Sequence, residues 1–263
     1  MKNSTATFQK AKQNGKKITM LTCYDCAMAQ VMDAAGINGL LVGDSLGNVV
    51  LGYKNTLPVT MDEMVHHAKA VVRGTADALV VVDMPFMSYQ VSVADAVANA
   101  GRLIKETGAG AVKLEGGAAV CPQIAAITAA DIPVMGHLGF TPQSIHAFGG
   151  YKVQGRDETA AQKILDDALA VAEAGAFALV LEMLPAALAR RVTEAVPIPT
   201  IGIGAGNDCD GQILVCHDML GLYPAAPAFV KKYADLGEAM RAAFAAYRDD
   251  VTTGAFPATE HTF

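Results

Sequence analysis

Four carboxylates stand at the ends of short apolar runs: Asp44 in LLVGD, Asp83 in LVVVD, Glu115 in AVKLEG and Glu182 in ALVLEM. An acid preceded by three or more largely apolar positions sits where a buried strand meets its loop, not on a solvated helix face. Four such acids on one rim repel one another unless a cation or a shared proton intervenes. A hard divalent ion with oxygen ligands, Mg²⁺, relieves that repulsion. The competing reading is that one or two of them cap the following helix.

Other residue types fall into the same places. Lys113 lies two residues before Glu115, so on a strand the two share a face. A lysine in a buried strand needs a partner. It serves either as a cation for a substrate carboxylate or developing enolate oxygen, or as half of a structural ion pair. Ser45, directly after Asp44, either donates a hydrogen bond to the same ligand or closes a turn. His137, in GHLG, either hydrogen-bonds a substrate oxygen or is a satisfied structural histidine.

Several tempting signals are weaker. His66 and His67 follow a helix start at which Thr60 and Glu63 have capping-box spacing, and they read as structural or surface groups. Cys23 and Cys26 have CxxC spacing with no second pair to complete a zinc site, so they read as incidental. GIGAGN, residues 202–207, lacks GxGxxG spacing and comes too late for a dinucleotide loop. Its glycines imply only close approach of a ligand to the backbone.

Eight short apolar runs must position these groups: 18–22, 40–44, 79–83, 111–116, 132–138, 178–183, 199–204 and 213–218. They are continuous rather than alternating, as parallel strands covered on both faces are. Eight is the number that a closed (β/α)₈ barrel requires, with site residues at the carboxyl ends of the strands. A doubly wound open sheet is the competing architecture. Between the runs, Ile164, Leu165, Ala168, Leu169 and Ala172 mark one helix face, with Lys163, Asp166 and Asp167 outside it. A last helix is predicted at about 235–253, with Leu236, Met240, Phe244 and Val251 in register. The connections 45–60 and 139–158 are long for this fold and read as lids or substrate walls.

Composition agrees with one α/β domain over residues 1–263. Hydrophobic residues make up 52% and charged residues 17%, with no Trp and a net charge of −6. Such a chain buries a large core and is not disordered. The acidic balance argues against nucleic acid or an anionic membrane as partner. Five scattered cysteines suggest reduced thiols in a cytoplasm, and neither a secretory leader nor a membrane span is expected.

Taken together, LLVGDS, LPVTMDEM, DMPF, KLEGG, GHLGFTPQS, FGGYKVQGR, LVLEMLP and IGIGAGNDCDGQILV closely resemble the ketopantoate hydroxymethyltransferase family. The resemblance runs from about Lys17 to EHTF near the C-terminus. It implies a barrel of the phosphoenolpyruvate/pyruvate superfamily. The implied reaction transfers a one-carbon unit from 5,10-methylenetetrahydrofolate to 3-methyl-2-oxobutanoate, giving 2-dehydropantoate in the first committed step of pantothenate synthesis. By the same resemblance Asp44 and Asp83 hold one Mg²⁺, with Glu115 in its shell, and Glu182 accepts the proton. Ser45, Asp83 and Lys113 contact the keto acid, and Asp44 and His137 complete the expected substrate-binding set. A homo-oligomer, a decamer in the family, is implied as well. Phe140 stands where the family often has Leu, and Ala228 where it often has Lys; neither is expected to touch the acidic rim. Rival readings are a Mg²⁺-dependent carbon–carbon lyase of the same superfamily, and a barrel that binds a small acid without turnover.

Overall fold

Each apolar run becomes a strand: β1 Ile18–Thr22, β2 Gly39–Val42, β3 Leu79–Asp83, β4 Ala111–Lys113, β5 Val134–Gly139, β6 Ala178–Glu182, β7 Thr200–Ile203 and β8 Gly211–Leu214. The computed structural model describes residues 2–223 and 225–263. Every strand pairs in parallel with the next, and β8 returns to β1. The sheet is the predicted closed (β/α)₈ barrel, which excludes the doubly wound alternative.

Side-chain alternation along these strands builds the interior. Ile18 and Met20, Leu41, Leu79 and Val81, Ala111, Met135, Ala178 and Val180, Ile201 and Ile213 form one apolar cluster inside the barrel. Continuing by steps of two, the same inward face reaches Asp83 on β3, Lys113 on β4, His137 on β5 and Glu182 on β6. The residues between, such as Val80, Val82, Leu179 and Leu181, are buried too, on the face turned away from the interior. Double burial is why the runs read as continuous.

The other end of the barrel is closed by a helix that sequence patterning did not reveal. Thr5–Gln13 starts from a capping box on Ser4 and delivers Phe8 into the interior cluster. Burial of that ring contributes about 1.5–3 kcal/mol. The predicted capping box of Thr60 and Glu63 opens the helix Met61–Gly74.

Two details depart from expectation. The eighth strand starts at Gly211, and the end of the predicted run, 216–218, turns into a short helix, Cys216–Met219. A Cβ at Gly211 would collide with the Ile18 carbonyl, so a glycine and the polar Gln212 begin the strand and escape an apolar count. In the helix Glu158–Glu173, Asp167 is buried and Leu169 exposed, the reverse of the expected stripe. Asp167 accepts hydrogen bonds from the Ala118 N–H at 3.0 Å and from Lys163, whose Nζ lies 2.6 Å away. A buried carboxylate bonded in this way displaces an apolar residue from the inner face.

The chain divides into two compact units, Met1–Leu214 and Val215–Phe263. The first holds the barrel. The second carries the predicted last helix, Leu236–Thr253, none of whose residues is buried. Its stripe of Leu236, Met240, Phe244 and Val251 is in register and exposed.

Candidate active site

Strand register brings the predicted groups together at the carboxyl ends of β2 to β6. Asp83 and Lys113 are direct partners across β3 and β4, and Lys113 Nζ lies 2.8 Å from Asp83 Oδ1. The same ammonium is 3.4 Å from His137 Nδ1 on β5. His137 in turn stands between two acids, with Nδ1 3.5 Å from Glu115 Oε1 and Nε2 3.3 Å from Glu182 Oε2. Asp44 lies two residues past β2, where its N–H donates to Asp83 Oδ2 at 3.0 Å. All but Glu182 are buried, and the Glu182 side chain keeps 16% of its surface open.

None of the four acids caps a helix. The side-chain caps belong to Ser4, Asp25, Thr60, Ser92 and Asp157, and Ser45 precedes the short helix Leu46–Val49 without capping it. Ser45 Oγ instead shares a 2.9 Å hydrogen bond with Tyr24 Oη. Gly43 gives room here: a Cβ on it would meet Ser45 Oγ at 2.7 Å and Asp83 Oδ2 at 3.4 Å. The serine therefore lies against the same few atoms of backbone as the acid.

The electrostatics follow from burial. Removal from water pushes the Asp44 carboxyl well above the usual range, and the charges of Asp83 and Glu115 push it further. Burial raises Asp83 as well, against the opposing pull of Lys113. For Lys113 burial favours the neutral amine, but Asp83, Glu115 and Asp44 outweigh it and hold the ammonium charged. His137 is likewise opposed by burial and by Lys113, yet the nearby carboxylates of Glu115 and Glu182 raise it to about 9. At neutral pH the site thus holds two cations among its acids.

Three residues of the site went unnoticed in the sequence. Gln143 donates from Nε2 to Asp44 Oδ2 at 2.9 Å, and its backbone N–H donates to Glu115 Oε2 at 3.0 Å. Tyr89 donates to Gln143 Oε1 at 2.8 Å and accepts from the Glu115 N–H at 3.2 Å. Tyr24 is the partner of Ser45. The available signal was positional: each lies in a segment following the carboxyl end of a strand, in LTCYD, DMPFMSYQ and GFTPQS. Phe140, expected to stay clear of the rim, is fully buried and donates its N–H to the Glu182 carbonyl at 2.8 Å. That contact is between backbone groups; the Phe140 ring lies 5.8 Å from the Phe148 ring and 5.0 Å from that of Tyr151, within the 139–158 connection.

His66 is exposed, and His67 Nδ1 is 2.7 Å from the Tyr24 carbonyl, consistent with structural placement. Cys23 and Cys26 are not joined by a disulfide. Among the described residues no helix is long and apolar enough to cross a membrane.

Comparison with known proteins identifies the family. The model of the family "Ketopantoate hydroxymethyltransferase" matches residues 2–259. The 3-methyl-2-oxobutanoate hydroxymethyltransferase of Clostridium novyi (strain NT) is 64% identical over 264 residues, covering 100% of this chain and 96% of its own. That of Moorella thermoacetica is 62% identical over 256 residues, covering 97% and 95%. Among solved structures, phosphonopyruvate hydrolase in complex with oxalate and Mg²⁺ superposes with a TM-score of 0.61 at 15% identity, covering 98% of this chain and 93% of that one. 2,3-Dimethylmalate lyase, of the PEP mutase/isocitrate lyase superfamily, gives 0.61 at 16% identity, covering 100% and 93%. These two likenesses concern the fold alone. With a family model spanning nearly every residue and relatives above 60% identity along the full length, the chain belongs to the ketopantoate hydroxymethyltransferase family.

Proposed function

We propose that the chain transfers a hydroxymethyl group from 5,10-methylenetetrahydrofolate to 3-methyl-2-oxobutanoate, giving 2-dehydropantoate, as the first step of pantothenate synthesis. The observation that carries this reading is the convergence of Lys113, His137 and Glu182 with three buried acids at one end of the barrel. A site for proton removal beside a carbonyl needs a base, a place for the resulting negative charge and a grip on the substrate carboxylate. All three are present.

The donor set fits one Mg²⁺. Its ligands would be Asp44, Asp83 and Glu115, all hard oxygen donors. Buried Asp83 Oδ1 has the Lys113 ammonium beside it but no aligned hydrogen-bond donor. Among the described residues no three His, Cys, Asp or Glu side chains are gathered so as to hold a metal ion by themselves. Mg²⁺ commonly takes one or two carboxylates directly, with water and substrate oxygens completing its shell, so part of the contact from these three acids would run through water. When bound, the ion supplies Lewis-acid stabilisation of negative charge on the keto oxygen.

Glu182 takes the proton from C3 of the keto acid, the carbon beside the carbonyl. His137, charged and 3.3 Å away, steadies the ionised carboxylate and orients it. Lys113, held by Asp83, offsets the charge of the substrate, and the Ser45 hydroxyl donates to the same ligand. C3 of the deprotonated acid then bonds to the folate methylene carbon as one of its two carbon–nitrogen bonds breaks, and water replaces the second nitrogen with a hydroxyl. The two nitrogens take up the proton held by Glu182 and one from water. The 139–158 segment walls the site and limits access of bulk solvent.

The protein is read as a cytoplasmic homo-oligomer, a decamer by resemblance to its family. The exposed stripe of Met240, Phe244 and Val251 supports self-association. Light scattering of the purified protein tests this, and a strictly monomeric mass overturns it. The activity is tested by a product assay with keto acid, folate donor and Mg²⁺, with and without chelator. Formation of 2-dehydropantoate only when all three are present is expected, and folate-independent turnover of the acid overturns the reading.

A further inference from the structure

The hydrogen bonds of Gln143 reach three other segments of the rim. Its Nε2 donates to Asp44 Oδ2 after β2 at 2.9 Å and to the Met84 carbonyl after β3 at 3.0 Å. Its backbone N–H donates to Glu115 Oε2 after β4 at 3.0 Å. Its own place is the short turn Pro142–Ser144, at the start of the 139–158 segment after β5.

The orientation of the amide is fixed on both sides. Oε1 accepts from Tyr89 Oη at 2.8 Å and from Gln90 Nε2 at 3.2 Å. A primary amide has two donor hydrogens and two acceptor lone pairs, and here all four are used. Rotating it by half a turn would set its oxygen against the Asp44 carboxylate and its nitrogen against the Gln90 nitrogen. The side chain is buried, so water cannot repair such a mismatch.

We propose that Gln143 is a positioning residue for the acidic centre: it fixes one oxygen each of Asp44 and Glu115, and with it the set of both carboxyl groups, and does so only while the 142–144 turn is seated. Asp44 Oδ2 is held by a donor that belongs to the long segment. Seating of that segment and readiness of the acids to bind a cation are therefore one event. Side chains that orient metal ligands in this way typically matter by roughly 10–100-fold in affinity. The inference rests on the reading of Asp44, Asp83 and Glu115 as Mg²⁺ ligands.

The test is calorimetric titration of the substrate-free protein with Mg²⁺ alone, beside thermal unfolding without metal. Gln143→Met keeps the length of the side chain and the backbone N–H but deletes the amide. It is expected to weaken Mg²⁺ binding about tenfold or more, and to lower the metal-free Tm because the buried partners of the amide are left unpaired. Gln143→Ala is expected to weaken binding to the same extent, because the donor matters and the bulk does not. Tyr89→Phe, which frees one side of the amide, is expected to weaken binding less, and it decides the matter if Gln143→Met fails to fold. Mg²⁺ affinity of Gln143→Met, or failing that of Tyr89→Phe, within twofold of the unsubstituted protein overturns the proposal whatever the activity. If the unsubstituted protein binds no Mg²⁺, the metal reading itself falls and this inference falls with it.

Discussion

Asp83 and Lys113 face one another as register partners on adjacent strands, and their side chains close to 2.8 Å between Oδ1 and Nζ. Register, not rotamer choice, sets this pairing, since a slip of one residue would turn either side chain out of the interior. Both groups are buried, so neither finds water when its partner is removed. Breaking such a pair typically costs about 3–5 kcal/mol. Lys113→Met is expected to destabilise the metal-free protein by about that much, and adding Asp83→Asn to recover part of the loss. Urea unfolding of the single and double variants checks both. A single-variant loss below about 1 kcal/mol would match an exposed pair instead.

Glu182 is the proposed proton acceptor and lies on a different strand from each proposed metal ligand. Glu182→Gln is expected to abolish exchange of the C3 proton of 3-methyl-2-oxobutanoate in deuterated water, with Mg²⁺ binding retained. Proton NMR of the keto acid follows the exchange. Undiminished exchange in the variant removes Glu182 from the role.

Removal of metal acts at the acids. Chelator is expected to stop turnover and excess Mg²⁺ to restore it, whereas Asp83→Ala is expected to stay inactive at every Mg²⁺ concentration. Full turnover of Asp83→Ala in the presence of chelator would sink the metal assignment.

A second acid gives a pH dependence unrelated to the site. Asp33 accepts from the N–H groups of Ala78 at 2.7 Å, Ala76 at 3.0 Å and Asp77 at 3.1 Å. Partial burial raises its pKa, but these three donors outweigh that and leave it below the ordinary value. A lowered folded pKa contributes stability above the unfolded pKa, and the contribution is lost as pH falls through the folded value. The stability gap between the unsubstituted protein and Asp33→Asn is therefore expected to be constant near neutrality and to shrink below about pH 4. Denaturant midpoints of both proteins across that range check this, and a gap that widens toward acid contradicts it.

The barrel was legible because double burial writes each strand as an unbroken apolar run, and an acid at the end of such a run stands out. Asp83, Lys113, His137 and Glu182 were found in this way. Gln143 was not, because it acts on Asp44 across 99 residues and no local pattern records such a pairing. The same holds for Phe8, whose helix is weakly apolar overall and is held by what it plugs. Asp167 was misplaced by its charge: its burial goes with a backbone donor in another segment, Ala118, which periodicity does not count. Gly211 and Gln212 began β8 unseen because close approach to β1 selects a small residue there.

Closure of β8 onto β1 has a consequence for association. Every strand of the barrel has a hydrogen-bonded neighbour on both sides, so the sheet offers no unpaired row of N–H and C=O groups to an incoming chain. Copies of this protein cannot join by lengthening a common sheet. Assembly must be written in side chains on the outer helices and loops, where single substitutions can tune or abolish it without touching the barrel's ladder.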